Sequence, residues 1–179
     1  VNLNFFQKDY DVKMDILEIS EYNKSHFKYV EAGLVWYNRT QRAISAKFEY
    51  LCDPRNNTFV DVQVYKMMSN EYRFFPVTFT MNLCSEYKKN SFGMKDMLTK
   101  YSNIDPCDLK RGVPYAINKM ILDISRFPPH LPLGSYKVVL KYFIHTDFNG
   151  QTDAYMRLID KPIDWMKIPP AKRSHGKGH

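Results

Sequence analysis

Residues 83–144 read LCSEYKKNSFGMKDMLTKYSNIDPCDLKRGVPYAINKMILDISRFPPHLPLGSYKVVLKYFI, and this stretch decides the fold that we predict. At Cys84 a two-residue hydrophobic period breaks off, and apolar residues then recur at helical spacing. We therefore predict one short helix near residues 93–102, carried by Met94, Met97, Leu98 and Tyr101. Cys107 follows in a proline-flanked loop. Strand character returns over Val113–Ser125 and, after a proline-rich loop, over Tyr136–Ile144.

Outside this stretch, the chain consists of short runs in which apolar and polar residues alternate. They cover residues 11–19, 28–37, 44–52, 60–64, 75–83 and 154–158. Turn sequences such as DPRNN at 53–57 separate them, and DFNG at 147–150 predicts a hairpin turn. About eight strands with one helix predict an all-β, immunoglobulin-like β-sandwich. We predict a single domain over residues 1–168 and a flexible basic tail over 169–179.

The charge pattern argues against a nucleic-acid partner. The chain of 179 residues has a formal net charge of +7. Its Lys and Arg residues are spread one or two at a time along the strands, and the densest basic cluster lies in the tail. We therefore expect a basic solvated surface rather than a nucleic-acid groove.

Three glycosylation sequons favour the secretory pathway. They begin at Asn23, Asn38 and Asn56, and the last two fall between strand-like runs where a glycan can stand in solvent. No apolar run reaches the roughly 18 residues of a transmembrane helix, so we expect a protein that does not span a membrane. The first residues, VNLNFFQKDYDV, are typical of a mature chain after signal-peptide removal. The sequence thus predicts a secreted, extracellular glycoprotein.

A family resemblance appears over residues 80–145. It is carried by Cys84, the helical insert, Ser102-Asn103 with Pro106-Cys107, Gly112-x-x-Tyr115-x-Ile117-x-Lys119 and Leu131-Pro132-x-Gly134-x-Tyr136. This pattern resembles the insect domain family that includes the chemosensory B proteins. That family is placed with the ML, or lipid-recognition, domains, which hold a lipid between the sheets of an immunoglobulin-like sandwich. The chain departs from the family pattern in the order of Pro106 and Cys107, which is reversed.

The three cysteines allow one disulfide within the chain, and the third cysteine then keeps its thiol. The resemblance implies that Cys84 pairs with Cys107. Cys52 then lies on the apolar face of its strand, either as a buried free thiol or as one half of an intermolecular bridge. A Cys52–Cys84 pairing remains the alternative.

The sequence carries no recognisable catalytic motif and only a weak metal-binding signal. It contains no GxSxG, HExxH, P-loop or dinucleotide fingerprint and no CxxC pair for zinc, and its one HxxxH spacing is that of His175 and His179. His145 and Asp147 lie two apart on one strand and form the best base-and-orienter pair, but no nucleophile is tied to them. His175 and His179 are in the predicted tail. We therefore expect no enzyme, no cofactor and no bound metal.

The apolar strand faces are the candidate ligand site. Twelve side chains are predicted to point to one interior: Phe48, Tyr50, Val62, Val64, Phe75, Phe79, Met81, Ile117, Leu122, Val138, Leu140 and Tyr142. These residues form either a filled core or, as the resemblance implies, the wall of a lipid cavity. Lys88, Lys89 and Lys110 are candidates for attracting a head group at its mouth.

Two functions from different classes follow from these patterns. The first is a non-enzymatic carrier of a lipid or other hydrophobic small molecule. The resemblance implies that such a carrier works in chemosensory or pheromone-related signalling, with a membrane receptor or channel as a possible second partner. The second is a receptor-adaptor or adhesion module with a filled core that acts through its surface.

Overall fold

The computed structural model of the chain describes residues 2–161. The tail predicted at 169–179 and the end of the predicted domain, 162–168, lie outside the described residues. Within 2–161 the chain forms eight strands: β1 (Tyr10–Tyr22), β2 (Phe27–Trp36), β3 (Arg42–Tyr50), β4 (Thr58–Met68), β5 (Glu71–Asn82), β6 (Tyr115–Met120), β7 (Gly134–Ile144) and β8 (Asp147–Asp160). Two helices, α1 (Leu83–Lys88) and α2 (Met94–Tyr101), lie between β5 and β6.

The strands form two antiparallel sheets. The larger sheet has the order β1-β8-β7-β4-β5, and the smaller has the order β2-β3-β6. The two-residue period therefore predicted the all-β sandwich correctly. Alternation is regular on β5, where Phe75, Val77, Phe79 and Met81 are half-buried while the residues between them are exposed.

The helical excursion is longer than predicted. Helix α2 confirms the helix expected near 93–102, but α1 was not predicted. Its N-terminus is capped by Asn82, whose side-chain oxygen accepts a hydrogen bond from the Ser85 amide at 3.0 Å. Cys84 on α1 forms a disulfide with Cys107, which confirms the expected pairing and rules out the Cys52–Cys84 alternative.

The predicted hairpin turn at residues 147–150 is wrong. The turn between β7 and β8 is His145-Thr146, with Ile144 paired to Asp147 and His145 at a φ of 53°. Gly150 instead lies inside β8, opposite Tyr22 of β1. A Cβ at Gly150 would lie 3.3 Å from the Glu21 carbonyl oxygen, so glycine permits close strand approach here rather than a turn.

The strand predicted over Val113–Ser125 is also too long. It spans only Tyr115–Met120, because Lys119 adopts a φ of 47° and its pairing with β3 is irregular between Ile44 and Ala46. Residues 121–123 leave the sheet, and a short 3-10 turn follows at Ile124–Arg126. This early end frees Leu122 from the sheet.

Two hydrophobic clusters hold the sandwich together. The first lies on the larger sheet and is covered by the loop after the 3-10 turn; its buried members are Tyr10, Tyr136, Ala154, Met156 and Leu158. The second joins both sheets at one end of the sandwich, with Phe27, Tyr50, Leu109, Tyr115 and Ile144. The tightly packed core is therefore split into two parts.

Candidate functional site

The two sheets turn apolar faces towards each other. On the larger sheet the register places Val62 beside Leu140, and Val138 beside Ala154. On the smaller sheet Ala46 pairs with both Ala32 and Ile117. Since side chains alternate between the faces of a strand, these residues form two facing apolar surfaces.

The middle of these facing surfaces is not tightly packed. Leu34, Ala46 and Ile117 of the smaller sheet are half-buried, and so are Leu140 and Tyr142 opposite. Burial nevertheless raises the pKa of the Tyr142 hydroxyl above its ordinary value, against a smaller opposing effect of its hydrogen bond to Thr152. The half-buried apolar side chains on both facing surfaces are packed less tightly than the members of the two hydrophobic clusters.

At one end of the sandwich, a cleft of about 440 Å³ lies between the sheets. We call it the inter-sheet cleft; Asp11, Val12, Lys13, Met14, Asp15, Trp36, Thr40, Gln41, Arg42, Ile44, Met120, Ile121, Leu122, Ile124 and Arg157 line it. Its volume is within the range of about 300–1,000 Å³ that is typical of small-molecule sites. Apolar side chains form its walls, and charged side chains cluster at its rim.

Ionic and stacking contacts organise the rim. Asp15 accepts two hydrogen bonds from Nε of Arg157, at 3.0 and 3.1 Å, and one from Nη2 at 3.0 Å. The Arg42 guanidinium lies 4.7 Å from the centre of the Trp36 ring. The indole of Trp36 stands largely in solvent, with 60% of the residue exposed. Charge and aromatic surface therefore meet at the entrance.

Aromatic side chains close the opposite end of the sandwich. Strand β3 runs from Arg42 at the cleft to Tyr50 in the second hydrophobic cluster. There, the rings of Phe27 and Tyr50 stack with centroids 4.7 Å apart, and Phe48 lies 5.4 Å from Tyr115. Burial and the neighbouring Cys52 raise the pKa of Tyr50, partly opposed by its hydrogen bond to Asn149. The sandwich thus has a cleft at one end and a packed aromatic cluster at the other.

A strained turn covers the β5 side of the larger sheet. Phe92, between α1 and α2, adopts a φ of 54°, which is rare for a non-glycine residue. Its ring stacks on Phe79 of β5 with centroids 6.1 Å apart and contacts Phe5 of the N-terminal arm at 5.8 Å. These contacts stabilise the left-handed conformation of Phe92. The helical segment from α1 to α2 and the N-terminal arm before β1 therefore pack together over β5, and we call them the cover.

The twelve predicted cavity residues fall into five groups. Leu122 lines the inter-sheet cleft. Val62 and Phe79, which are paired and share the inner face of the larger sheet, also border a second, mostly polar hollow of about 500 Å³ on β4, β5 and β7. The remaining nine lie between the sheets: Val64, Phe75 and Val138 around the first cluster, Phe48 and Tyr50 in the second, and Met81, Ile117, Leu140 and Tyr142 half-buried on the facing surfaces.

Several cleft residues were not among those predicted. Val12 and Met14 were missed because the pairing of β1 with β8 shifts register between Met14 and Ile16, which breaks the two-residue period. Trp36 and Ile44 follow the two-residue period, so the sequence pattern alone places them on the apolar faces of β2 and β3. Arg42 gave no sequence signal, since a single arginine after a turn is typical of a solvated surface.

The other sequence candidates lie away from the cleft. His145 lies in the β7–β8 turn and Asp147 is the first residue of β8; both are exposed, and they do not share a strand face. Lys89 pairs with Glu86 and Lys110 with Asp108, so these lysines do not line the entrance. His175 and His179 lie outside the described residues. Among residues 2–161 no three potential ligands approach closely enough to hold a metal ion.

The sequons differ in their surroundings. Asn38 and Asn56 are exposed, and the Asn38 side-chain oxygen accepts hydrogen bonds from the Thr40 and Gln41 amides at 2.9 and 2.8 Å. Asn23 is half-buried, and its amide nitrogen donates to the Phe148 carbonyl at 3.0 Å. None of the helices within residues 2–161 has the length and apolarity needed to cross a membrane.

A family model described as a protein of unknown function (DUF1091) matches residues 60–138. The matched segment runs from β4 through the disulfide and both helices into β7. No curated protein matches the chain.

Proposed function

We propose that this protein is a secreted, non-enzymatic carrier that holds a lipid or another hydrophobic small molecule between its two sheets. The observation that carries the proposal is the inter-sheet cleft, which lies at one end of two facing apolar surfaces whose side chains are half-buried. A sandwich that worked through its surface alone would gain stability by filling this space.

The energetics favour an apolar ligand. Each methylene that moves from water into the space contributes about 0.8 kcal/mol, so a long alkyl chain is bound strongly without any charged anchor. Met14 and Met120 on the cleft wall are unbranched and flexible, which suits a wall that adapts to different chains. The ligand is expected to enter beside Trp36 and to extend towards Phe48.

The resemblance to the chemosensory B proteins and the ML domains supports a more specific role. On that basis the carrier works in chemosensory or pheromone-related signalling and presents its ligand to a membrane receptor or channel. The matched family segment, residues 60–138, overlaps the stretch on which this resemblance rests. The disulfide-closed helical insert lies in both.

Mass spectrometry of the secreted protein tests the carrier function. The full chain is produced in a eukaryotic secretory host, analysed intact under native conditions, and then extracted with organic solvent. We expect a mass increment that disappears on extraction, with a lipid or hydrocarbon in the extract. Protein that carries no increment and shows no saturable uptake of fatty acids, alcohols or hydrocarbons would refute the carrier function.

Exposed aromatic residues favour a second candidate function, a receptor-adaptor module. Phe6 is 73% exposed and Phe74 on the edge strand β5 is 59% exposed. A contiguous apolar patch at the surface marks a site that binds a protein partner, and these two side chains are the candidates to anchor such a patch. An adaptor without a ligand would bind its partner equally well before and after solvent extraction, whereas a carrier that presents its ligand would not.

A further inference from the structure

We propose that the ligand carries a carboxylate head group and that Arg42 binds this group at the rim of the inter-sheet cleft. This inference rests on the proposed function and narrows the ligand to a single-chain amphiphile with an anionic end, such as a fatty acid. It assigns Arg42 as the residue that determines specificity.

Two contacts hold the Arg42 side chain in place before any ligand binds. Its guanidinium stacks on Trp36, 4.7 Å from the ring centre. Its Nη1 donates a hydrogen bond to the main-chain oxygen of Asp15 at 2.7 Å. These contacts connect the smaller sheet to β1 across the entrance. A guanidinium that is already fixed loses little further entropy when it binds a head group.

The charge of Arg42 is not neutralised by the protein. Among residues 2–161 no carboxylate lies within ion-pair distance of it. The nearby Asp15 carboxylate is occupied by Arg157, and an Asp11 carboxylate oxygen accepts a hydrogen bond from the Val12 amide at 2.9 Å. Lys13 adds a further positive charge to the cleft. The rim therefore carries a positive charge that a negatively charged group of a ligand can neutralise.

The donors of Arg42 suit a carboxylate. A guanidinium has five N–H groups in a planar fork that matches the two oxygens of a carboxylate, and only one of the five is bonded to the described residues. Ile44, two residues further along β3, is part of the cleft wall. An alkyl chain that follows this wall inward leaves its head group at the level of Arg42.

A matched pair of ligands separates the head group from the chain. Ligand-free, full-length protein is titrated with dodecanoate and with dodecanol by isothermal titration calorimetry. We expect dodecanoate to bind about tenfold more tightly than dodecanol, as one charge-assisted hydrogen-bonded pair provides. The two ligands share the same alkyl chain, so the ratio of their dissociation constants reports on the head group alone.

Variants assign the preference to Arg42. Arg42→Gln is expected to abolish the preference, so that the dissociation constants of dodecanoate and dodecanol become equal, and Arg42→Lys to restore part of it because lysine returns the charge without the planar set of N–H donors. Arg39→Gln is the control, because Arg39 is exposed in the same turn but does not line the cleft. It removes the same charge and should keep the full preference.

Each outcome decides between the two proposals. Equal binding of dodecanoate and dodecanol by the wild-type protein, or equal effects of Arg42→Gln and Arg39→Gln, would overturn the assignment of the head group and leave the carrier function standing. Binding of neither ligand would overturn the carrier function and this inference together.

Discussion

Tyr10 and Tyr136 show how single side chains shape the first hydrophobic cluster. The Tyr10 hydroxyl donates to the Pro128 carbonyl, and the Tyr136 hydroxyl donates to the Pro132 carbonyl, both at 2.6 Å. Proline has no N–H to donate, so this loop depends on its carbonyl groups for attachment. Two phenols therefore fasten a proline-rich loop over the larger sheet.

The Tyr10 phenol makes stability sensitive to alkaline pH. Burial, together with the nearby Asp9 and Tyr136, raises the pKa of Tyr10 to about 12. In the unfolded chain this group ionises near pH 10. The native state therefore retains a proton that the unfolded state loses, and the contribution is complete below about pH 10 and lost as pH rises towards 12.

We expect Tyr10→Phe to lower the free energy of unfolding by about 1 kcal/mol at neutral pH, because the Pro128 carbonyl loses its partner. The variant should also lose less stability than the wild type between about pH 10 and 12. Urea unfolding followed by circular dichroism across this range measures both effects. Tyr37→Phe, at an exposed tyrosine, is the control; identical pH slopes for wild type and Tyr10→Phe would contradict the account.

The sequons are expected to differ in occupancy in protein secreted by a eukaryotic host. Asn38 and Asn56 present exposed amides, whereas the Asn23 amide nitrogen is bonded to the Phe148 carbonyl. A glycan at Asn23 has to be accommodated beside β8. We expect glycopeptide mapping to find Asn38 and Asn56 largely occupied and Asn23 less so. Full occupancy of Asn23 with an empty Asn38 would show that this local geometry does not control modification.

At the level of elements, the disulfide fixes the helical insert to the loop before β6. Cys84 and Cys107 are 23 positions apart, with Cα atoms 4.6 Å from each other. Closing a loop of this length stabilises the fold by about 3 kcal/mol in the chain-entropy model. The insert also carries Phe92, which contacts β5. Loss of the disulfide should therefore loosen the cover over the sheet first.

The double variant Cys84→Ser/Cys107→Ser tests this arrangement. We expect a loss of about 3 kcal/mol in unfolding free energy and faster hydrogen exchange in α1 and α2 than in β7 and β8. A carrier with this loosened cover should also release its ligand faster. Cys52→Ala keeps the disulfide and is the control. Unchanged exchange in the helices of the double variant would mean that the disulfide does not hold the cover.

Strands and helices could be predicted from the sequence where one face is buried and the other is exposed to solvent. The period of two identified β2, β3, β4, β5 and β7, and the helical spacing identified α2. Helix α1 was not predicted, because it has only six residues and its N-cap, Asn82, directly follows a regular strand pattern. The β7–β8 turn was misplaced because Asn149-Gly150 is a strong local turn signal, whereas Gly150 serves a contact with β1 that no local pattern reveals.

For the whole molecule, the sequence predicted two apolar faces but not the space between them. Whether facing side chains touch depends on the distance between the two sheets. That distance is set by tertiary packing and not by the local sequence pattern. The cleft also takes residues from β1, where bulges obscure the period. Hence Leu122 is the one predicted cavity residue that lines the cleft, although most of the others lie on the surfaces behind it.

Equivalent substitutions at two alanines distinguish an open interior from a filled one. Ala46 is half-buried between the cleft residue Ile44 and the aromatic Phe48, whereas Ala154 is packed in the first cluster. We expect Ala46→Leu to change the unfolding free energy by less than about 0.5 kcal/mol. Ala154→Leu should cost about 1–3 kcal/mol through overpacking. Equal costs at both sites, from urea unfolding of ligand-free protein, would indicate a filled core.

The most direct measurement is calorimetric titration of ligand-free wild type and Ala46→Leu with dodecanol. The account predicts saturable one-to-one binding by the wild type with a negative heat-capacity change, because apolar surface is buried. It also predicts at least about tenfold weaker binding by Ala46→Leu, because the added side chain occupies the space needed by the ligand. No saturable binding by the wild type, or equal affinity of the two proteins, would contradict a ligand held between the sheets.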